Sequence, residues 1–153
     1  MEAKVTVDTP NMQHMKKRTL TGMKKVLWKG MTKMEELAKD KAPVDTGMLK
    51  SRIHLSPMTF GAEEYTLSDG VTYGADLEYG NRPHNVSMKP LIEWVKRKGI
   101  RTTEGGQIAF AKYVQKKIRT KGVNAQPFFR PALHEVQIVW LPIYREEVFG
   151  KQQ

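Results

Sequence analysis

Three carboxylates are the residues of this chain best suited to chemistry. Asp45 lies in KAPVDTGMLKSRI (41–53), and Asp76 and Glu78 lie in VTYGADLEYG (71–80). Brought into one pocket, two of them would serve as general acid and general base on a hydrolysable bond. Each position also has a simpler explanation. Asp76 and Glu78 alternate with apolar residues, as carboxylates on a solvated strand face or an interface do. Asp45 sits between Pro43 and Gly47, where an Asp side chain accepts hydrogen bonds from backbone N–H groups two residues on. Pro43 ends the preceding helix by pushing Ala42 out of the α region, and Gly47 supplies a positive φ where a turn needs one. Pro43, Asp45, Thr46 and Gly47 therefore read as a structural corner, not a reaction centre.

The remaining reactive side chains are dispersed. His14, His54, His84 and His134 show no i, i+4 pairing or other metal spacing. EGGQ (104–107) has two glycines but lacks the spacing and the lysine of a phosphate loop. Ser51, Ser56, Ser68 and Ser87 stand in no nucleophile-elbow context. There is no cysteine, which excludes disulfides, thiol catalysis and Cys-based zinc sites. The expectation is no catalytic residue, no metal and no cofactor.

The elements that carry these residues follow from periodicity. Thr9-Pro10 reads as an N-cap with proline at the first helical position. Apolar residues then recur at Met12, Met15, Leu20, Met23, Leu27, Met31, Met34 and Leu37, in steps of mostly three or four. A helix over about 10–40 would be roughly 45 Å long, enough to project from a small domain or to pack on a neighbouring subunit. Alternation predicts strands over 50–58, 62–68 and 71–76, with Asp69-Gly70 as a hairpin turn. GNRPHNVSMKP (80–90) is a loop, and Ser87 caps a short helix ended by Gly99. A second helix carries Ile108, Ala111, Val114 and Ile118 inside, with Lys112, Lys116, Lys117 and Arg119 opposite, and stops at Gly122. A last helix starts at Pro131, and Pro142 should kink or end it. The expected class is α+β: a long N-terminal helix, an antiparallel meander of three or more strands, two shorter helices and a C-terminal helix. One domain spans 1–153, with 1–9 an extended arm and 143–153 an extended or mobile tail.

Charge limits the partners. The chain has 153 residues, 26 of them Lys or Arg against 16 Asp or Glu, for a net charge of +10. Such an excess suggests an acidic partner. MEAKVTVDTP lacks the apolar run of a signal peptide. IVWLPIY (138–144) is the longest greasy stretch, well short of the ~18 residues of a membrane span, so no membrane association is expected. The aromatics Phe110, Tyr113, Phe128 and Phe129 form no stacking platform, and no zinc finger or helix-turn-helix is present. A basic module that contacts nucleic acid non-specifically through phosphates is the alternative reading.

APVDTGMLKSRI (42–53), VTYGADLEYGNRP (71–83), PLIEWVKRKGI (90–100) and AFAKYVQKKIRTKGVNAQPFFRPAL (109–133) occur in that order. Together they resemble the small neck, head–tail joining and tail-completion proteins of tailed bacteriophages, over about residues 40–135. The family's Pro-Val-Asp-Thr-Gly corner, with its Leu and basic residue, matches Pro43 to Gly47, Leu49 and Lys50. Its Tyr-Ala and Glu-X-Gly-Thr signature matches Tyr73-Gly74 and Glu78-Tyr79-Gly80-Asn81, with Asn81 in place of Thr. Its Pro-Phe and Arg-Pro-Ala signature matches Pro127-Phe128 and Arg130-Pro131-Ala132.

The resemblance implies a non-enzymatic virion component, assembled in the host cytoplasm. It would be a ring of six-fold or twelve-fold symmetry at the head–tail junction, touching connector, neck and tail-tube proteins. The contact residues expected for subunits or partners are Glu78, Tyr79, Gly80, Asn81, Arg82, Phe128 and Arg130, with the N-terminal half of the long helix as a further patch. The basic helix faces would meet acidic protein neighbours, and non-specific contact with genomic DNA is the other expectation.

Overall fold

The structure, a computed structural model, describes residues 9–62 and 64–150, with side chains from residue 14 onward. The expected N-terminal arm lies, except for Thr9, outside the described residues. Helix α1 runs Thr9–Lys41, about 50 Å at 1.5 Å per residue. Its apolar stripe follows the i, i+3, i+4 spacing of the sequence, and Lys39 and Lys41 in its last turn suit the negative end of the helix dipole. At the corner that follows, Gly47 adopts φ 82° and leads into the short helix α2, Met48–Arg52. Strand β1, His54–Ser56, pairs antiparallel with β2, Thr66–Ser68, and Leu55 lies opposite Leu67.

The described chain is 65% helical, with a two-stranded sheet alone, so the expected α+β meander of three or more strands is not formed. The third expected strand, 71–76, runs instead into helix α3, Gly74–Tyr79. Two causes act together. The Asp69 carboxylate accepts the Val71 N–H at 3.2 Å, and Gly70 adopts φ 57°. This local turn sends the chain away from the sheet edge instead of back along it. Ala-Asp-Leu-Glu-Tyr also contains no β-branched residue, and its Ala, Leu and Glu favour helix. Gly74 and Glu78, four apart, then share the buried side of one helical turn.

Helix α4, Met88–Arg97, and α5, Glu104–Lys121, pack on each other as a helical hairpin. The Thr103 side chain caps α5 by accepting the Gly106 N–H. Ser87 precedes α4 without a side-chain cap bond. Helix α6, Phe129–Glu135, continues through a wide π turn at Val136–Trp140 into α7, Leu141–Phe149. Pro142 therefore does not end this rod, and residues 143–149 are helical where an extended or mobile tail was expected. Proline lacks an N–H and crowds the carbonyl four residues back. The wide turn absorbs this, because the Leu141 N–H donates to the Val136 carbonyl, five residues back.

The rod lies antiparallel along α1. Lys41 meets Glu135 at 3.0 Å near one end, and Lys29 binds Glu147 near the other. Gly22 and Gly30 let Phe149 and Leu141 rest directly on the α1 backbone. The core gathers Ala38 and Ala42 of α1, Leu49, Ile53, Phe128 and Ala132. Three alanines among six residues bring α1 and α6 close together. Ile53→Ala should cost about 2–5 kcal/mol in chemical denaturation, because its side chain is fully buried. Met58→Ala, at an exposed position, should stay within about 0.5 kcal/mol.

Candidate functional site

Two segments far apart in sequence are zipped together. Asn81 and Val123 exchange both backbone hydrogen bonds at 2.9 Å, and the Gln126 N–H donates to the Leu77 carbonyl at 2.7 Å. The backbones approach so closely that two glycines are obligatory. A Cβ on Gly122 (φ 75°) would stand 2.1 Å from the Asn81 carbonyl oxygen, and one on Gly80 (φ 76°) 2.8 Å from Val123 O and Ala125 N. Both combine positive φ with backbone contact, so no side chain fits.

This zipper delivers the Glu78 carboxylate to the start of α6. Glu78 is 4% exposed and the one buried charged residue among those described. One carboxylate oxygen accepts the N–H groups of Phe128 and Phe129 at 2.7 and 2.9 Å. The other accepts the Arg130 N–H at 2.9 Å and its Nε at 3.1 Å. Arg130 Nη2 donates to the Glu78 carbonyl at 2.9 Å, and the guanidinium lies 4.9 Å from the Tyr79 ring centre. The first N–H groups of a helix have no partner within it. The residue before α6 is Phe128, which has no side-chain acceptor, so the acceptor must come from elsewhere in the chain. Glu78 is that acceptor, and its negative charge also suits the positive end of the dipole. Burial pushes its pKa up, but the three backbone donors and Arg130 outweigh burial and hold it below the ordinary 4.5.

The structure thus sorts the residues expected at a subunit contact. Glu78 and Phe128, the latter 0% exposed, are internal and cannot face a partner directly. Gly80 and Asn81 serve the zipper. Tyr79, Arg82 and Arg130 remain on the surface. The sequence held one signal of the capping role: QPFFRPAL begins a helix with no Ser, Thr, Asp or Asn at the cap position.

The three candidate carboxylates are not brought together. Asp45 lines a cleft of about 560 Å³ with Tyr73, Leu77 and Trp94, and neither Asp76 nor Glu78 lines it. Its carboxylate is engaged by Arg97 at 2.8 Å and Lys98 at 3.4 Å, and Lys98 also reaches the Val44 carbonyl. Within the corner it is the Thr46 hydroxyl, not Asp45, that accepts the Met48 N–H, at 3.4 Å. The Arg97 hydrogen bond outweighs burial and lowers the Asp45 pKa from 3.8. The corner's role is thus to dock the end of α4. Asp76 is exposed on α3. Among the described residues no group of three or more His, Cys, Asp or Glu is placed to hold a metal.

The other feature is apolar. The stripe that buries Ala38 and Ala42 continues towards the α1 N-terminus as Leu20, Met23 and Leu27, which the core does not reach. Leu20 is 55% and Met23 59% exposed. Beside them runs a groove of about 700 Å³ between α1 and α7, lined by Met23, Val26, Leu27, Leu141, Pro142 and Phe149. Comparison of the chain with protein-family models, curated proteins and solved structures gives no match.

Glu78→Ala strands three helix-end N–H groups and should cost about 3–5 kcal/mol, while Glu78→Gln, which keeps an acceptor, should cost about 1–3 kcal/mol. Because the folded pKa of Glu78 is depressed, its stabilisation is complete above the unfolded value of 4.5 and is lost as pH falls through the folded value. Thermal melts from neutral to acid pH should therefore show wild type losing its advantage over Glu78→Gln below that range. Gly122→Ala should cost more than about 2 kcal/mol by the same melts, from strain and backbone clash together.

Proposed function

We propose that the chain is a non-enzymatic structural subunit of a tailed-bacteriophage particle, one copy of an oligomeric ring at the head–tail junction. It joins the tail to the DNA-filled head and works by presenting matched surfaces to copies of itself and to neighbouring neck and tail proteins. The observation that carries this reading is the apolar surface of the α1–α7 hairpin. Met15, Leu20 and Met23 of α1, with Ile143 and Phe149 of α7, are all exposed. A monomeric soluble protein rarely leaves so long an apolar strip uncovered, and such strips mark contact with other macromolecules.

The ordered motifs that resemble the neck and tail-completion proteins support the particular setting. Their two segments, around Glu78 and around Arg130, are the ones clamped to each other, so the resemblance falls on the part that makes the subunit rigid. A ring needs a head-to-tail contact in which two different patches meet. The hairpin groove supplies one patch. The exposed rim of Tyr79, Arg82 and Arg130, rigidly placed by the clamp, supplies the other. A turned-over substrate has no part in this account.

Electron microscopy of the purified protein, alone and mixed with its tail tubes, tests it. Rings, or a ring at the head-proximal end of the tube, are the expected result. Leu20→Asp combined with Met23→Asp should abolish assembly by size-exclusion chromatography with light scattering. Both positions are already exposed, so the melting temperature should hold within a few degrees. Assembly unchanged in that variant, or a wild-type protein that stays monomeric and never meets a tail, would contradict the reading.

A further inference from the structure

Ion pairs gather along α1 and at the corner that follows it. Lys29, Lys33, Lys39, Lys41 and Lys50 each meet a Glu or Asp, and Asp45 takes Arg97 and Lys98. The outer face of α5 carries no such pair. Lys112, Lys116, Lys117, Arg119 and Lys121 are all exposed, and none has an ion pair or side-chain hydrogen bond among the described residues. The helix carries a single acid, Glu104, in its first turn. Lys112–Lys116 and Lys117–Lys121 are like-charge i, i+4 pairs, and Lys116–Arg119 is an i, i+3 pair. Each destabilises the free helix instead of stabilising it. Arg119 and Lys121 gain something from the helix dipole at the C-terminal end. Lys112, Lys116 and Lys117 lie beyond the last turn and have no such compensation.

We infer that the outer face of α5 binds the phosphate backbone of nucleic acid, without reading its sequence. Lys112 to Lys121 spans about 13 Å along the helix axis, a length over which duplex DNA carries roughly eight phosphates. By helical spacing Lys112, Lys116 and Arg119 line one edge of the exposed side of α5, and Lys117 and Lys121 line the other. Phosphates seated between the two edges are met from both sides, and releasing their counterions supplies the binding free energy. An acidic protein surface fits less well. The cores of protein interfaces are depleted in lysine and rich in aromatic anchors, whereas four of these five cations are lysines and Tyr113 is the sole large exposed aromatic beside them.

At the helix start the face gains Arg101, held by its backbone in a left-handed conformation (φ 69°) that non-glycine residues rarely adopt. The Gln107 side chain fixes that loop by donating to the Arg101 carbonyl at 3.1 Å, and a Cβ on Gly106 would stand 3.4 Å from the Arg101 Cβ. Contact of this kind does not immobilise DNA, since a phosphate-only interface lets the protein slide along the duplex. This site is independent of the ring reading: it uses a helix outside both proposed subunit patches.

The test is fluorescence anisotropy of a short labelled DNA duplex of mixed sequence, titrated with the full chain at several salt concentrations. The triple variant Lys112→Gln, Lys116→Gln, Lys117→Gln should bind at least ~10-fold more weakly near 0.1 M salt, with the slope of log K on log [salt] shallower by up to about 3. The control Lys16→Gln, Lys17→Gln, Arg18→Gln removes the same charge from α1 and should lose far less. Three results each overturn the site: no duplex binding by wild type, equal losses in both triple variants, or tighter binding to poly-glutamate than to the duplex. Circular dichroism melts of both variants establish that each is folded when measured.

Discussion

The Glu78 carboxylate is the constraint on which the rest of the structure leans. It stands where a long C-terminal helical rod begins, and that rod has no local residue able to satisfy its first N–H groups. By taking three of them, and Arg130 besides, it fixes where the rod starts and in which direction it points. A buried charge is tolerable only when its oxygens are fully engaged, and no buried side-chain polar atom of the described chain is left without a partner. The zipper between Asn81 and Val123 brings the backbone carrying Glu78 to the right place. Gly80 and Gly122 are the residues that permit that approach.

From that anchor the architecture follows in steps. With the start of α6 fixed, Phe128 and Ala132 close the core against Ala38, Ala42 and Ile53. The rod is then committed to run back along α1, and the wide turn before Pro142 keeps it there. Because the core occupies only the C-terminal half of α1, the other half extends outward with its apolar stripe still facing one way. A thin core and a long exposed hairpin are thus two consequences of one arrangement. They suit a subunit whose remaining burial comes from its neighbours, which is the role proposed for it. The basic face of α5 lies on a separate helical hairpin, so protein contact and phosphate contact need not compete for the same surface.

Much of this was legible in the residues, and the failures have physical causes. The α1 helix was readable from its three-and-four spacing between Thr9-Pro10 and Pro43. The α4 and α5 helices were readable from their stripes and from Gly99 and Gly122, both of which adopt positive φ. The third strand was misjudged because six residues of alternation also fit a single helical turn with Gly74 and Glu78 inside. Asp69 decided between the two by turning its own backbone. Pro142 was read by its local rule, whereas packing along α1 favours continuing the rod through a wide turn. The role of Glu78 was hidden because its partners lie some fifty residues on. Within the motifs that suggested an external contact surface, Glu78, Gly80, Asn81 and Phe128 serve an internal clamp while Tyr79, Arg82 and Arg130 stay exposed, and only the missing cap in QPFFRPAL hinted at the clamp.

The central claim is that an ionised, buried Glu78 holds the start of α6. Carbon-detected NMR of the folded protein, following the Glu78 carboxyl through an acid titration together with amide exchange at Phe128, Phe129 and Arg130, measures it directly. The account predicts a Glu78 pKa below 4.5 and three slowly exchanging amides that lose protection as that carboxyl takes up its proton. A carboxyl titrating at or above the ordinary value, beside amides that exchange freely at neutral pH, would contradict it.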